Sequence, residues 1–268
     1  MALESGHIHF WTGGKGKQTL VLLHGFGGSA LWQWADMLKP LAKRYKLIVP
    51  DLLWFGDSDG GDGPRTIEHQ MNAMRRLIAQ YEDQPVHVAG ISYGGFVSYL
   101  LANEHPDMVR SLTLIDCPAS AMEREDYEAV LKRFDLPDMS SMLVPNQADE
   151  IPRLLKLAYH RPPPVPGFAL KDAYTQLFGA FRDQRRALLK DLISYLDEPR
   201  PSGDSDHPTL ILWGEHDELF PLELAHRLCA KLGSRAQLEI IKGTAHAPIV
   251  EDPKAVTKAM QKFLRGIS

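Results

Sequence analysis

Two serines sit in the pattern Gly-x-Ser-x-Gly, a setting in which a serine hydroxyl can serve as a nucleophile for acyl transfer. They are Ser92, in Gly90-Ile91-Ser92-Tyr93-Gly94, and Ser58, in Gly56-Asp57-Ser58-Asp59-Gly60. The pattern does not choose between them, but the flanks do. Such a nucleophile needs a buried strand running into a very tight turn and then a helix, which together hold the hydroxyl in a strained, accessible position. Glycines flank it because a side chain there would strike the neighbouring strand or helix. Val86-His87-Val88-Ala89 precedes Ser92 and Gly95-Phe96-Val97-Ser98-Tyr99-Leu100-Leu101 follows it, so strand, turn and helix are all predicted. Ser58 runs instead into Gly60-Gly61-Asp62-Gly63-Pro64, a flexible loop that would hold a nucleophile poorly.

A serine hydroxyl is too weak an acid to attack an ester unaided, so a base and an orienting carboxylate are required. At a strand–turn–helix nucleophile the chain order is serine, then acid, then histidine. Of the eleven histidines, His246 lies just past the last strand candidate, in Gly243-Thr244-Ala245-His246-Ala247-Pro248, among small neighbours that leave its imidazole free to turn toward Ser92. His226 falls in a helical pattern, His207 in a polar loop, and His216 beside the acid, where it reads equally as a surface residue. The acid is expected just past the strand Thr209 to Trp213, in Gly214-Glu215-His216-Asp217-Glu218. Asp217 is selected because the preceding turn carries it back under the sheet's edge. Glu215 and Glu218 are rivals that read as solvated, and Asp116, at the end of an earlier strand, is a further candidate.

The negative charge that develops on a carbonyl oxygen needs two backbone N–H donors, each worth about 3–4 kcal/mol of barrier. One is the amide of Tyr93, next to the nucleophile. The other is expected from the loop His24-Gly25-Phe26-Gly27-Gly28, with Phe26 as donor and its ring as a wall of the acyl pocket. His24 reads as a brace for that loop.

The elements that must position these groups are legible as alternating textures. Strand candidates are His7 to Trp11, Thr19 to Leu23, Lys46 to Pro50, Val86 to Ala89, Ser111 to Ile115, Thr209 to Trp213 and Gln237 to Ile241. Several are apolar on both faces, as strands buried between helix layers must be. Helical spacing between them implies a mainly parallel sheet of βαβ units. From Ala119 to His207 the texture is helical, over Glu123 to Phe134, Glu150 to Tyr159 and Phe168 to Leu196, interrupted by the stiff Arg161-Pro162-Pro163-Pro164-Val165-Pro166. A last helix runs from Pro253 to Leu264. A core of residues 1–117 and 208–268 with a helical cap at 118–207 describes this most simply.

With 268 residues, 44% hydrophobic and 24% charged, the chain has ample material for a buried core. A formal net charge of −4 and no basic run give nucleic-acid binding no electrostatic support. Cys117 and Cys229 make neither a disulfide framework nor a metal-ligand spacing. No ligand cluster or phosphate-cradling loop stands out, so neither a metal nor an organic cofactor is implied. No apolar run reaches the roughly 18–20 residues that cross a bilayer, and the first six residues lack a signal-peptide layout. A cytoplasmic location is the expectation, with contact to a lipid surface through the cap kept open.

Taken together these residues resemble the α/β-hydrolase family. The resemblance rests on His24-Gly25 after the first buried strand, Asp51 with Phe55-Gly56-Asp57-Ser58, the Ser92 turn, Gly214 to Asp217, and Gly243 to His246. It implies an α/β-hydrolase fold with an inserted helical cap, and a structural role for Asp51 and the Gly56-x-Ser58 turn. Leu52-Leu53-Trp54 departs from the family, whose members usually carry Pro-Gly or Arg-Gly there, close to the hinge of the cap. Relatives with an aspartate nucleophile, the haloalkane dehalogenases and epoxide hydrolases, are set aside by Ser92. Carbon–carbon bond hydrolases typically carry Trp after the histidine, where this chain has Ala247. The stretch Leu143 to Leu196 is similar to the cap of monoacylglycerol lipases and related microbial lipases. The resemblance therefore implies a small-molecule ester substrate with an apolar acyl chain, monoacylglycerols included, and a pocket drawing on Met142, Leu143, Tyr159 and Phe178. The same scaffold also hosts pimeloyl-type methyl esterases, perhydrolases and slow-turnover ligand receptors.

Overall fold

The apolar runs pair into one seven-stranded sheet in the computed structural model, which describes residues 1–197 and 206–267. The strands are β1 (Phe10–Gly13), β2 (Thr19–Leu23), β3 (Lys46–Pro50), β4 (Val86–Ile91), β5 (Val109–Ile115), β6 (Thr209–Gly214) and β7 (Ala236–Ile241), in the order β1-β3-β2-β4-β5-β6-β7. β1 pairs antiparallel with β3 and every other pair is parallel. Every residue of β2, β4 and β6 is buried, because helices cover both faces of the sheet.

Helices α1 (Ala30–Ala42), α2 (Ile67–Tyr81) and α3 (Tyr93–Glu104) connect the early strands. Between β5 and β6 come α4 (Arg124–Phe134), α5 (Ser140–Leu143), α6 (Ile151–Ala158), α7 (Gly167–Ala173) and α8 (Arg182–Asp197). The expected cap, 118–207, includes residues 198–205, which lie outside the described residues. α9 (Leu222–Leu232), α10 (Pro248–Glu251) and α11 (Pro253–Arg265) complete the chain. On one face Trp34, Met37 and Leu41 of α1 meet Met260 and Phe263 of α11 over Leu20, Leu22 and Leu212. On the other, α2, α3 and α9 pack with Val21, Leu23, Val88, Leu112 and Ile211 in the larger core.

Two expectations need correction. The first strand begins at Phe10, not His7. The backbone of His7 is held by Asp59 in an isolated bridge, and the Ile8 amide donates to Met1, so the ladder with β3 starts later. The helical stretch Phe168 to Leu196 is broken into α7, a π-turn at Tyr174–Phe178, and α8. At the break Phe181 takes a left-handed backbone, φ 57°. The buried Arg185 guanidinium accounts for it, donating to the Leu177 carbonyl from within α8 and to the Trp54 carbonyl at 2.7 Å. A side-chain donor eight residues on takes the Leu177 carbonyl in place of a helical amide. Those bonds, with the guanidinium 4.6 Å over the Phe55 ring, fasten α8 to the loop after β3. Burial pulls the Arg185 pKa down to about 10.

One buried histidine makes stability depend on pH. His87 on β4 is fully buried, its Nδ1 2.7 Å from the Ser111 hydroxyl, with no partner at Nε2 among the described residues. Burial, then the Arg110 charge, lowers its pKa to about 4. The unfolded chain takes up this proton near 6.5, so stability falls as pH drops through about 6.5, and the loss is complete near 4. His87→Gln is expected to shrink the drop in melting temperature between pH 7.5 and pH 4.5. An undiminished drop would remove His87 as its cause.

Candidate active site

Ser92 stands at the end of β4 with φ 51° and ψ −120°, a backbone region that costs a non-glycine residue about 1–3 kcal/mol. The junction enforces it. A Cβ at Gly90 would lie 2.2 Å from the Gly94 carbonyl oxygen in α3, and one at Gly94 would lie 2.5 Å from that of Leu23 in β2. Strand and helix approach that closely only because both positions are glycine. The Ser92 amide is anchored by donating to Ile115 at 2.9 Å.

The Ser92 hydroxyl lies 2.9 Å from His246 Nε2, and His246 Nδ1 lies 2.8 Å from Asp217 Oδ2. A carboxylate only accepts, so Nδ1 carries the proton and Nε2 is left to accept from the serine. Asp217 is buried, and its other oxygen accepts from the Leu219 and Phe220 amides at 2.8 and 2.9 Å. The Phe220 ring meets the imidazole edge-on at 5.3 Å. The rivals Glu215 and Glu218 are exposed, and Glu215 accepts from the Gly243 amide at 2.9 Å.

Asp116 is different. It is fully buried at the end of β5, with φ 44°. Oδ1 accepts from the Gly214 amide at 2.8 Å, while Oδ2 faces no donor among the described residues. Carboxylate oxygens of Asp116 and Asp217 and a ring nitrogen of His246 all lie within 4.8 Å of one another. Burial, then the Asp217 charge, pushes the Asp116 carboxyl well above the usual carboxylate range. Two adjacent carboxylates in a dry site do not both ionise. Asp217 accepts from three donors, His246 Nδ1 and the Leu219 and Phe220 amides, whereas Asp116 accepts from the Gly214 amide alone.

The loop after β2 brings Phe26 beside Ser92. A Cβ at Gly25 would lie 3.2 Å from that of Ser92, so the loop passes the serine with no room to spare. The Phe26 and Tyr93 amides take no part in the turn and loop hydrogen bonds of the described residues. The loop is held from behind: Gln33 Oε1 accepts from the Gly25 amide at 2.7 Å, and the Leu52 amide donates to His24 Nε2 at 2.9 Å. His24 Nδ1–H in turn donates to the Gly25 carbonyl at 2.8 Å. Burial lowers the His24 pKa, which keeps the ring neutral in its bracing role.

The second Gly-x-Ser-x-Gly serine is fully buried in a support. Ser58 donates to the Asp51 carbonyl at 2.8 Å and accepts from the His9 amide at 2.9 Å. The Asp51 carboxylate accepts from the amides of Ala30 and Asp57. Ser58→Ala is expected to cost about 1–3 kcal/mol of unfolding free energy, read from denaturant midpoints, with ester turnover retained. Lost turnover at unchanged stability would make Ser58 the nucleophile.

Two cavities meet over Ser92, sharing Phe26, Leu143 and Leu219 as walls. The first runs past His246 between Trp32, Leu155, Tyr159 and Val250. The second runs past Tyr93 and Phe96 between Met139, Val130, Leu192 and Ile193.

Residues 20–259 match the alpha/beta hydrolase family. The chain belongs to that family. Lipase 1 of Psychrobacter immobilis is 26% identical over 263 residues, spanning 94% of this chain and 78% of its own. Monoacylglycerol lipase ABHD6 of Bos taurus is 25% identical, spanning 94% of this chain and 76% of its own. Among solved structures, the lip1 protein of Acinetobacter baumannii AYE superposes with a TM-score of 0.85 at 27% identity, over 100% of this chain and 90% of its own.

In this alpha/beta hydrolase, Leu143 and Tyr159 line the cavity, but two other expected pocket residues do not. Met142 joins the main core, and Phe178 packs with Ile151 and Leu177. Sequence reasoning missed Trp32, Val250, Val130, Leu192 and Ile193, since any amphipathic helix offers such residues and only packing decides which face a cavity. It also missed Glu251, whose carboxylate accepts from the Ala245 amide beside His246 and from the His160 amide at 2.9 Å. That single side chain ties the histidine loop to the chain beyond α6. Among the described residues no helix is long and apolar enough to cross a membrane.

Proposed function

We propose that this alpha/beta hydrolase is a serine carboxylic ester hydrolase for apolar acyl esters, monoacylglycerols among them. The observation that carries the reading is the hydrogen-bonded series Ser92, His246 and Asp217 opening onto cavities walled mainly by apolar side chains. The names of its relatives, a lipase and a monoacylglycerol lipase, support the same class.

The hydroxyl of Ser92 attacks the ester carbonyl as its proton passes to His246 Nε2. The Phe26 and Tyr93 amides hold the oxyanion. As the carbon–oxygen bond to the alcohol breaks, the imidazolium returns that proton to the leaving oxygen, and the acyl group stays on Ser92. Water then gives a proton to His246, attacks the acyl carbon, and releases the acid with Ser92 restored. Asp217 holds the tautomer and offsets the imidazolium charge. The inserted helices act as a cap that keeps water from the acyl chain.

The test is steady-state turnover of p-nitrophenyl esters from acetyl to palmitoyl. The expected kcat/KM rises with acyl length to a maximum at medium chains. A maximum at acetyl would make the protein a small-ester esterase, and turnover that stops after one equivalent would favour a ligand receptor.

A further inference from the structure

We propose that Glu251 is a positioning residue through which the cap sets the placement of His246, the base being fully aligned only when the segment after α6 is seated. This rests on the ester-hydrolase reading above and adds how its base is held.

Glu251 grips His246 from both sides along the chain. It ends the single turn α10, where its own amide donates to the Ala247 carbonyl at 3.0 Å. Its carboxylate reaches back to the other neighbour, Oε2 accepting from the Ala245 amide at 2.6 Å. The residues before and after His246 are thereby fixed to one residue. The second carboxylate oxygen is given to the cap. Oε1 accepts from the amides of His160 and Arg161, at 2.9 and 3.3 Å. Both lie in the segment that leaves α6, and Tyr159, next to them, walls the cavity that His246 borders. Burial, then the Glu251 charge, pushes the Tyr159 pKa up to about 12, so the carboxylate acts on the cavity wall as well. Hydrogen bonds to an ionised carboxylate are stronger than neutral ones, and three of them join the cap segment to the histidine loop.

The same segment also touches the acid. The His160 ring stacks on that of His216, with centroids 4.0 Å and planes 19° apart, and His216 immediately precedes Asp217. The His216 amide donates to the Thr244 carbonyl at 2.8 Å, which ties the two catalytic loops to each other. A shift of the cap segment is therefore felt by both partners of Ser92. The imidazole must take the serine proton and then deliver it to the leaving oxygen. Misplacing such a group by about 1 Å can cost on the order of 100-fold.

The experiment is Glu251→Gln, an isostere that offers one acceptor oxygen and must turn an N–H toward one of the two stretches of chain. With p-nitrophenyl octanoate, kcat is expected to fall on the order of 100-fold while KM changes little. Fluorophosphonate labelling of Ser92 should slow by a similar factor, because it also needs His246 to take the serine proton. The far-downfield proton resonance of the His246–Asp217 hydrogen bond should shift or broaden, which lost stability alone would not do. Glu251→Asp keeps the charge but is one methylene too short to span both stretches. It should behave alike, and it carries the test if the glutamine variant does not fold. His216→Ala, which removes the stack, should lower kcat by about three- to tenfold. Labelling and kcat close to wild type in Glu251→Gln, a raised KM at unchanged kcat, or a loss accounted for by a smaller folded fraction would overturn the assignment. Unchanged kcat in His216→Ala would overturn the part given to the cap. Wild-type protein that turns over no ester, with labelling still slowed in Glu251→Gln, would overturn the ester-hydrolase reading and leave the positioning role standing.

Discussion

Replacing His246 by alanine is expected to lower kcat by a factor on the order of 10⁵ to 10⁶. The imidazole is the only group within hydrogen-bond reach of the Ser92 hydroxyl among the described side chains, at 2.9 Å. Without it the serine stays a neutral alcohol and nothing protonates the leaving oxygen. Ser92→Ala should cost about as much, and the double variant no more than either single one, because the two residues act as a unit. The His246 side chain is largely buried, but it sits on a loop whose Ala245 amide is held independently by Glu251. The melting temperature should therefore change little. Activity within tenfold of wild type in His246→Ala would place the base elsewhere.

The second large effect separates two carboxyl groups that sit side by side. Asp217→Asn is expected to reduce kcat by about 10³- to 10⁴-fold. An amide that turns its nitrogen to His246 favours the wrong tautomer, and one that turns its oxygen still provides no charge to offset the imidazolium. Asp116→Asn should stay within about tenfold of wild type, since burial and then the Asp217 charge already disfavour the ionised form of Asp116, and the amide oxygen can still accept from Gly214. Measuring kcat/KM for both variants against pH decides the matter. The opposite ranking, with Asp116→Asn inactive and Asp217→Asn active, would transfer the orienting role to Asp116.

What could be read from the chain, and what could not, divides by the range of the interactions. Ser92 was legible because strand, turn and helix are consecutive, so its environment is written in the fifteen or so residues around it. His246 and Asp217 were legible as loops following apolar runs. That Asp116 lies against Asp217 was not, because it depends on β5 and β6 being neighbours in the sheet though 93 residues separate Ile115 from Thr209 in the sequence. The break between α7 and α8 was hidden for the same reason. Periodicity over Phe168 to Leu196 reports an amphipathic helix, while the carbonyl taken by Arg185 is decided by packing against Trp54. The lobes of the cavity are the least legible part: Met142 and Ile193 are both apolar residues on helices, and only the packing puts one in the core and the other against the cavity.

The central claim is that Ser92 is the nucleophile of an acyl-transfer site. Incubation with a fluorophosphonate, followed by intact mass and peptide mapping, tests it most directly. One adduct per chain, on the peptide bearing Ser92 and absent from Ser92→Ala, is the expected result. An adduct on the Ser58 peptide, or labelling that persists in Ser92→Ala, would contradict it.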